Sequence, residues 1–201
     1  AYEGDDDFVC SVFDSGKLID ELVLPKCNAK QAASDVLALA NRHFKPKEGN
    51  PDYVIAFDAC GVGHDFGIVL QAVLPESHRA HIIPINVAKT DEEYCGREYQ
   101  NMRAKLAYYM REQMEKGLVS LNDDPYSREE ATMEEGFTNL KGKLQIEPKE
   151  DLKERLGRSP DRWDARRLGI WAQQFAKDVQ ERKDYPSAYR QHETSGSFMA
   201  A

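Results

Sequence analysis

The spacing of apolar positions changes several times along the 201 residues. Residues 8–13 (FVCSVF) and 18–24 (LIDELVL) flank Asp-Ser-Gly-Lys, which predicts a β-hairpin with Gly16 in its turn. Behind Asn28, a good helix cap, Ala32, Val36, Leu39 and Ala40 recur at helical spacing and predict a helix over 29–44. FKPKEGNPD is a turn-rich loop. Residues 53–58 (YVIAFD) form a continuous apolar run, the pattern of a central strand buried on both faces. The loop ACGVGH follows, then an apolar helix over 66–74. HIIPIN, 81–86, predicts a second buried strand, which Pro84 pushes toward an edge.

A long helix is predicted over 92–116, stopped by Gly117, with Tyr99, Met102, Leu106, Tyr109 and Met110 as its core stripe. LVSL (118–121) predicts a short strand, 127–140 a short helix and KLQIEP (143–148) a strand. A short helix starts at Lys149. A long one begins at Ser159, with Pro160 at its first position and Leu168, Trp171, Ala172 and Phe175 as its stripe. After residue 182 the sequence turns polar, so a domain over 1–182 and a mobile tail over 183–201 are expected. The element order predicts an α/β fold whose mixed sheet is antiparallel at one side and parallel in the middle.

Composition narrows the function. A chain that is 41 % hydrophobic and 31 % charged is ordinary for a soluble globular domain. The formal charge of −8 argues against nucleic-acid binding by bulk charge, yet leaves room for a local basic groove. Cys10, Cys27, Cys60 and Cys95 have no paired spacing and read as reduced thiols. Cys60 and His64 lack a second ligand pair, which argues against zinc. Neither a membrane span nor a signal peptide is expected. A chain beginning at Ala1 is expected to be a processed or partial piece of something longer. Gly61 and Gly63 do not open a dinucleotide fingerprint, because its third glycine would fall at Phe66. There is no GxxxxGK[ST] for an ATPase.

Three acids carry the candidate chemistry. Asp58 ends the apolar strand, where open α/β sheets bind ligands. An ionised carboxylate there needs compensation, from a metal ion or from loop amides and a helix cap. Asp161 and Asp164 lie three residues apart and continue the buried stripe of the last helix into its first turn. Acids at a helix start favour its dipole by about 0.3–1 kcal/mol, which accounts for exposed acids better than for a pair aligned with the core. Asp58 facing this pair would make an oxygen-rich cluster suited to Mg²⁺ or Mn²⁺. Two such ions about 3.5–4 Å apart support phosphodiester hydrolysis.

DACGVG at 58–63, QNMRA at 100–104 and KERLGRSPDRWDA at 153–165, in this order, resemble the nuclease domain of the large terminase subunit of tailed phages. The similarity covers about residues 1–175. It implies a ribonuclease-H-like mixed sheet flanked by helices and a metal-dependent endonuclease that cuts concatemeric double-stranded viral DNA during packaging. It implies Asp58, Asp161 and Asp164 as metal ligands in a two-metal Mg²⁺ or Mn²⁺ site. It also implies, as partners, an ATPase domain of the same subunit, the portal and the small terminase subunit, in the host cytoplasm. The family's first catalytic aspartate lies on a first strand, and against that pattern AYEGDD would place it just upstream of Ala1. The first strand of the sheet is therefore expected to be missing, and Asp5, Asp6 or Asp7 would have to substitute, although an acidic run is more often a solvated turn.

Lys149, Lys153, Arg158 and Arg103 are the candidate phosphate contacts, with Lys153 and Arg158 flanking the acid pair in the family pattern and Lys105 beside Arg103. Interleaved acids offer the competing role of salt-bridged helix surface. Two further readings stand beside the nuclease: a non-catalytic ribonuclease-H-like module that binds DNA or portal and capsid proteins, and a resolvase-like nuclease.

Overall fold

The computed structural model describes residues 6–45, 53–74 and 81–181. Strands β1 (Asp7–Asp14) and β2 (Lys17–Pro25) pair antiparallel. Their two-residue turn has positive φ at Ser15 (49°) and Gly16 (84°), the turn type whose twist matches a hairpin. Gly16 is doubly constrained, since a Cβ there would sit 1.9 Å from the Leu118 carbonyl oxygen. That contact explains a first correction. LVSL is not a strand: Ser120 alone bridges Lys17, giving its carbonyl to the Leu18 N–H at 2.8 Å and its N–H to the Gly16 carbonyl at 2.9 Å.

Helix α1 (Ala29–His43) is capped by Asn28, whose side chain accepts from the Gln31 N–H at 2.9 Å. Strands β3 (Ile55–Asp58) and β4 (Ile82–Ile85) pair in parallel around helix α2 (Val62–Val73). Two details differ from expectation, and a third, the edge position of Pro84, matches it. Helix α2 starts at Val62 rather than 66, because Gly61 (φ 54°) turns the chain straight into it. β3 is only half-buried along its length. The Pro84 ring nitrogen needs no ladder partner: the His81 and Ile85 carbonyls accept from β3, so by alternation Pro84 faces the outer edge.

The predicted helix over 92–116 is two helices. α3 (Glu92–Cys95) ends at Gly96 (φ 88°), and α4 (Met102–Glu115) starts afresh on Asn101, which accepts from the Ala104 N–H at 2.9 Å. The predicted helix over 127–140 is also divided. α5 (Pro125–Met133) is capped by Asp124, and the chain then enters β5 (Gly136–Thr138), antiparallel to β6 (Leu144–Ile146). α6 (Lys149–Leu156) ends on left-handed Gly157, and α7 (Asp161–Glu181) follows. The tail expected over 183–201 lies outside the described residues.

Helix α7 organises the core. It packs along β1 and β3 on one side and α4 on another. Trp171 meets Tyr109 edge-on, with centroids 4.9 Å apart, in a cluster with Ile83, Ile85, Met102 and Leu106. Each such side chain contributes about 1.5–3 kcal/mol when fully buried. A second cluster joins α1, α2 and β4 through Val36, Phe66, Leu70 and Ile82. Among the described residues the strands form three separate pairs. No described helix is long and apolar enough to cross a membrane.

Candidate active site

Local packing fixes Asp58 first. It ends β3, and α2 begins so close that a Cβ on Gly63 would lie 1.7 Å from the Asp58 carbonyl oxygen. The Cys60 N–H donates to the Asp58 carboxylate at 3.0 Å. Burial pushes the Asp58 carboxyl pKa up; the Cys60 and Val87 amides oppose this, and the charge of Asp164 adds to it. At the end of the neighbouring strand, Asn86 accepts from the Cys60 thiol at 3.2 Å.

The helix acids come next. Left-handed Gly157 turns the chain between α6 and α7, so the start of α6 faces the start of α7. Lys149 Nζ lies 3.2 Å from Asp161 and 3.1 Å from Asp164. Burial works against its charge, but Asp164 and Asp161 outweigh burial and push its pKa up to about 12. Asp161 also accepts the Asp7 N–H at 2.9 Å and the Ser159 hydroxyl at 2.6 Å. Asp164 receives Arg167 at 3.4 Å. Ser159 thus orients an acid and is not the capping acceptor. The Pro160 carbonyl takes the first helical bond, from Asp164, and the Trp163 N–H is capped by Glu130 of α5 at 2.8 Å.

Asp58, Asp161, Asp164 and Lys149 all line one cavity of about 1070 Å³. Asp6 and Asp7 line the same end. Asp6 pairs with Lys153 at 2.7 Å, and that hydrogen bond holds its carboxyl below the usual range. Lys149 and Lys153, phosphate-contact candidates by sequence, are each the counter-ion of an acid. The only signal for this was proximity in the chain to the acid pair. Arg158 is committed to Glu130 and Glu129 and lies over Tyr126. Arg103 is largely buried, giving one nitrogen to the Glu147 carbonyl at 2.7 Å and another to Glu134 at 3.3 Å. Lys105 reaches the Tyr94 carbonyl and the Trp171 ring.

The three candidate acids share a cavity mouth, but among the described residues no three His, Cys, Asp or Glu side chains form a ready metal cluster. The expected oxygen-rich cluster is therefore not assembled. The physical reason is visible: an ammonium group occupies the space between the two helix acids, while Asp58 is turned onto its own loop amide.

These elements define a mixed α/β, ribonuclease-H-like fold with acids at a strand end and a helix start. The nuclease domain of the large terminase subunit of bacterial virus Sf6 is similar, with a TM-score of 0.55 over 78 % of this chain and 78 % of that one, at 17 % identity. A mutant form of that subunit's domain with calcium gives 0.59 over 85 % and 83 %, at 16 % identity. A mutant nuclease domain with manganese gives 0.55 over 84 % and 89 %, at 15 % identity. At these identities the likeness is one of fold. No protein-family model and no curated protein matches the sequence.

Proposed function

We propose that this chain, with its domain over residues 1–182, is the nuclease domain of a viral DNA-packaging terminase. It would cut concatemeric double-stranded DNA with Mg²⁺ or Mn²⁺ in the host cytoplasm, joined to an ATPase domain and serving the portal and small terminase subunit. One observation carries the reading: Asp58, Asp161 and Asp164 line one cavity mouth, and a cation, the Lys149 ammonium, already sits between the helix acids. The similar Sf6 structures with calcium and manganese support it.

The donor set fits a hard divalent ion. It is all oxygen, its helix pair holds a positive charge, and Asp58 is a desolvated carboxylate that a cation would favour. Asp58, Asp161 and Asp164 would hold the metal, which supplies a lowered pKa for attacking water and charge neutralisation at the leaving oxygen. The chain's own residues do the rest. The Asp7 amide and Ser159 hydroxyl fix the orientation of Asp161. Lys149 and Lys153, at the rim, would pass from acids to the phosphates of bound DNA. Arg158 and Arg103 are held by internal carboxylates and would serve the fold around the site rather than contact the phosphates.

Incubating plasmid DNA with the chain and Mn²⁺ or Mg²⁺ tests this. Metal-dependent nicking is expected, abolished by Asp58→Ala and by Asp164→Ala. Nicking that survives both substitutions refutes the assignment. A second reading, a non-catalytic module that binds DNA or portal and capsid proteins, is favoured by the unassembled acid cluster. DNA binding without nicking at any metal concentration would select it.

A further inference from the structure

The two helix acids are held in different ways. Asp161 takes the Asp7 N–H and the Ser159 hydroxyl besides Lys149. Among the described residues the Asp164 side chain meets two cations, Lys149 and, at 3.4 Å, Arg167 one turn further along α7. A divalent ion between the helix acids takes the place of the lysine ammonium, because like charges exclude each other there. Arg167 is then the group left to orient Asp164.

Arg167 is not free to follow a moving carboxylate. Its side chain is 3 % exposed, its guanidinium lies over the Trp163 ring at 5.5 Å, and another of its nitrogens bonds Glu134 just past the end of α5. The same Glu134 takes Arg103 of α4 at 3.3 Å, and Arg103 gives a second nitrogen to the Glu147 carbonyl at 2.7 Å. Two guanidiniums thus share one buried carboxylate. In each of them the Nε–H is buried with no partner among the described residues. An unpaired buried donor is costly, and apolar side chains of similar volume often fill such a space at no loss. Stability alone does not account for this cluster.

The cluster also reaches the third acid. The Arg103 backbone N–H donates to the Val87 carbonyl at 2.8 Å, and the Val87 amide is among the groups that favour the charged form of Asp58. The path Asp58, Val87, Arg103, Glu134, Arg167, Asp164 therefore runs from the end of β3 to the start of α7, through the start of α4 and the end of α5. In the sequence Arg103 stands in QNMRA as a phosphate candidate; its burial turns that motif inward, to this path.

We infer that Arg103, Glu134 and Arg167 form a brace behind the site that sets the position of Asp164 relative to Asp58. Arg167 and Arg103 are positioning residues: they touch neither metal nor DNA, and act through the carboxylates they hold. The inference rests on the nuclease reading and names what keeps its ligands in place. Partners behind metal ligands fix ligand orientation, and their loss typically costs about 10–100-fold in metal affinity. Lysine is no substitute for Arg167, because a compact ammonium lacks the rigid fork that spans two carboxylates.

The test reads metal binding. The Mn²⁺ affinity of the full chain is measured from the electron paramagnetic resonance of free Mn²⁺, with the melting temperature alongside. Arg167→Lys and Glu134→Gln are each expected to raise the Kd for Mn²⁺ about 10–100-fold. Arg158→Ala, whose partners Glu129 and Glu130 lie outside the brace, is expected to lower the melting temperature and leave that Kd unchanged. A Kd equal to the parent's in the folded brace variants, or an equal rise in Arg158→Ala, overturns the inference. If neither brace variant folds, the parent carries the test. Its Arg103 and Arg167 Nε–H signals should shift in NMR spectra as Mg²⁺ is added, and their silence at saturation is equally decisive against the brace. A parent that binds neither ion refutes the nuclease reading itself, whereas a parent that binds Mn²⁺ no better than its brace variants refutes the brace alone.

Discussion

Helix α7 meets two clusters of opposite charges within its first two turns, and they are built in opposite ways. Behind the helix, Glu130 is 1 % exposed and is closed on every side: it takes Arg158 and the Trp163 N–H, while its neighbour Arg166, also 1 % exposed, takes Glu21 and Ser127. Arg167 is closed off by Glu134 in the same way. In front, Asp161 and Asp164 stand at a cavity mouth and share the end of one long side chain, Lys149. Charges closed in by short, crossing partners serve the fold. Charges compensated by a movable ammonium remain available to a ligand.

The largest expected effect breaks the rear cluster. Glu130→Ala leaves a buried guanidinium and a helix N–H without their acceptor, which costs about 3–5 kcal/mol. Chemical denaturation should show that loss, with a melting temperature lower by about 10 °C. Asp164→Ala in the front cluster should cost less than about 1 kcal/mol while abolishing cleavage. Equal destabilisation by the two substitutions would erase the distinction between the clusters.

The next effect concerns the shared lysine. Lys149→Ala leaves Asp161 and Asp164 repelling each other across space that Mn²⁺ can occupy. Its melting temperature should lie below the parent's without metal and climb further on Mn²⁺ addition, by the equivalent of about 2.7 kcal/mol at a hundredfold excess over Kd. Since the Lys149 pKa is pushed up to about 12, alkaline buffer short of that value does not mimic the substitution. A variant no more responsive to Mn²⁺ than the parent would mean the ammonium does not hold a cation site.

Asp58 supplies a smaller, pH-dependent effect. Its folded carboxyl pKa is raised by burial above the unfolded value, so folding disfavours the charged form. That penalty is absent below the unfolded pKa of about 3.9 and grows as pH rises through the folded one. Asp58→Asn should therefore be at least as stable as the parent at pH 7, with the gap closing as pH falls into the carboxylate range. Denaturation midpoints across that range decide it, and a variant less stable at pH 7 contradicts the sign.

The acid pair of the front cluster is legible in the sequence, while its lysine counter-ion and the whole rear cluster are not. The hairpin, the Asn28 cap, the strand ending at Asp58 and the acids on the inner face of α7 each rest on local rules of spacing and capping, and the fold keeps them. Glu130 and Arg166 look like any exposed charges on a helix, and only tertiary packing of α5, β2 and the turn between α6 and α7 encloses them. The break at Gly96 was masked because Asn101 sits inside an otherwise helical pattern, and a cap is recognised only once the preceding turn is known to fail. The half-burial of β3 was illegible for another reason: a continuous apolar run reports what a strand is suited to lie against, and here the strand lines the cavity.

The smallest effect sharpens the comparison at the rim. Lys153 and Asp6 form a pair at 2.7 Å in which each side chain is 42 % exposed. Such a pair is worth little to the fold, so Lys153→Ala should leave the denaturation midpoint unchanged within error. Its place is beside the acids, where a phosphate oxygen can take the ammonium from Asp6. In an Asp164→Ala background, which removes cleavage, the salt dependence of DNA binding should lose about 0.9 from its slope when Lys153 is replaced, the mark of one phosphate contact. Arg158→Ala should do the reverse, lowering stability because Glu130 is left unpaired, and leaving the slope intact because its guanidinium is spent on carboxylates. Fluorescence anisotropy of labelled duplex DNA at several salt concentrations separates the two. If both substitutions change the slope alike, the rear cluster is as available to DNA as the front one.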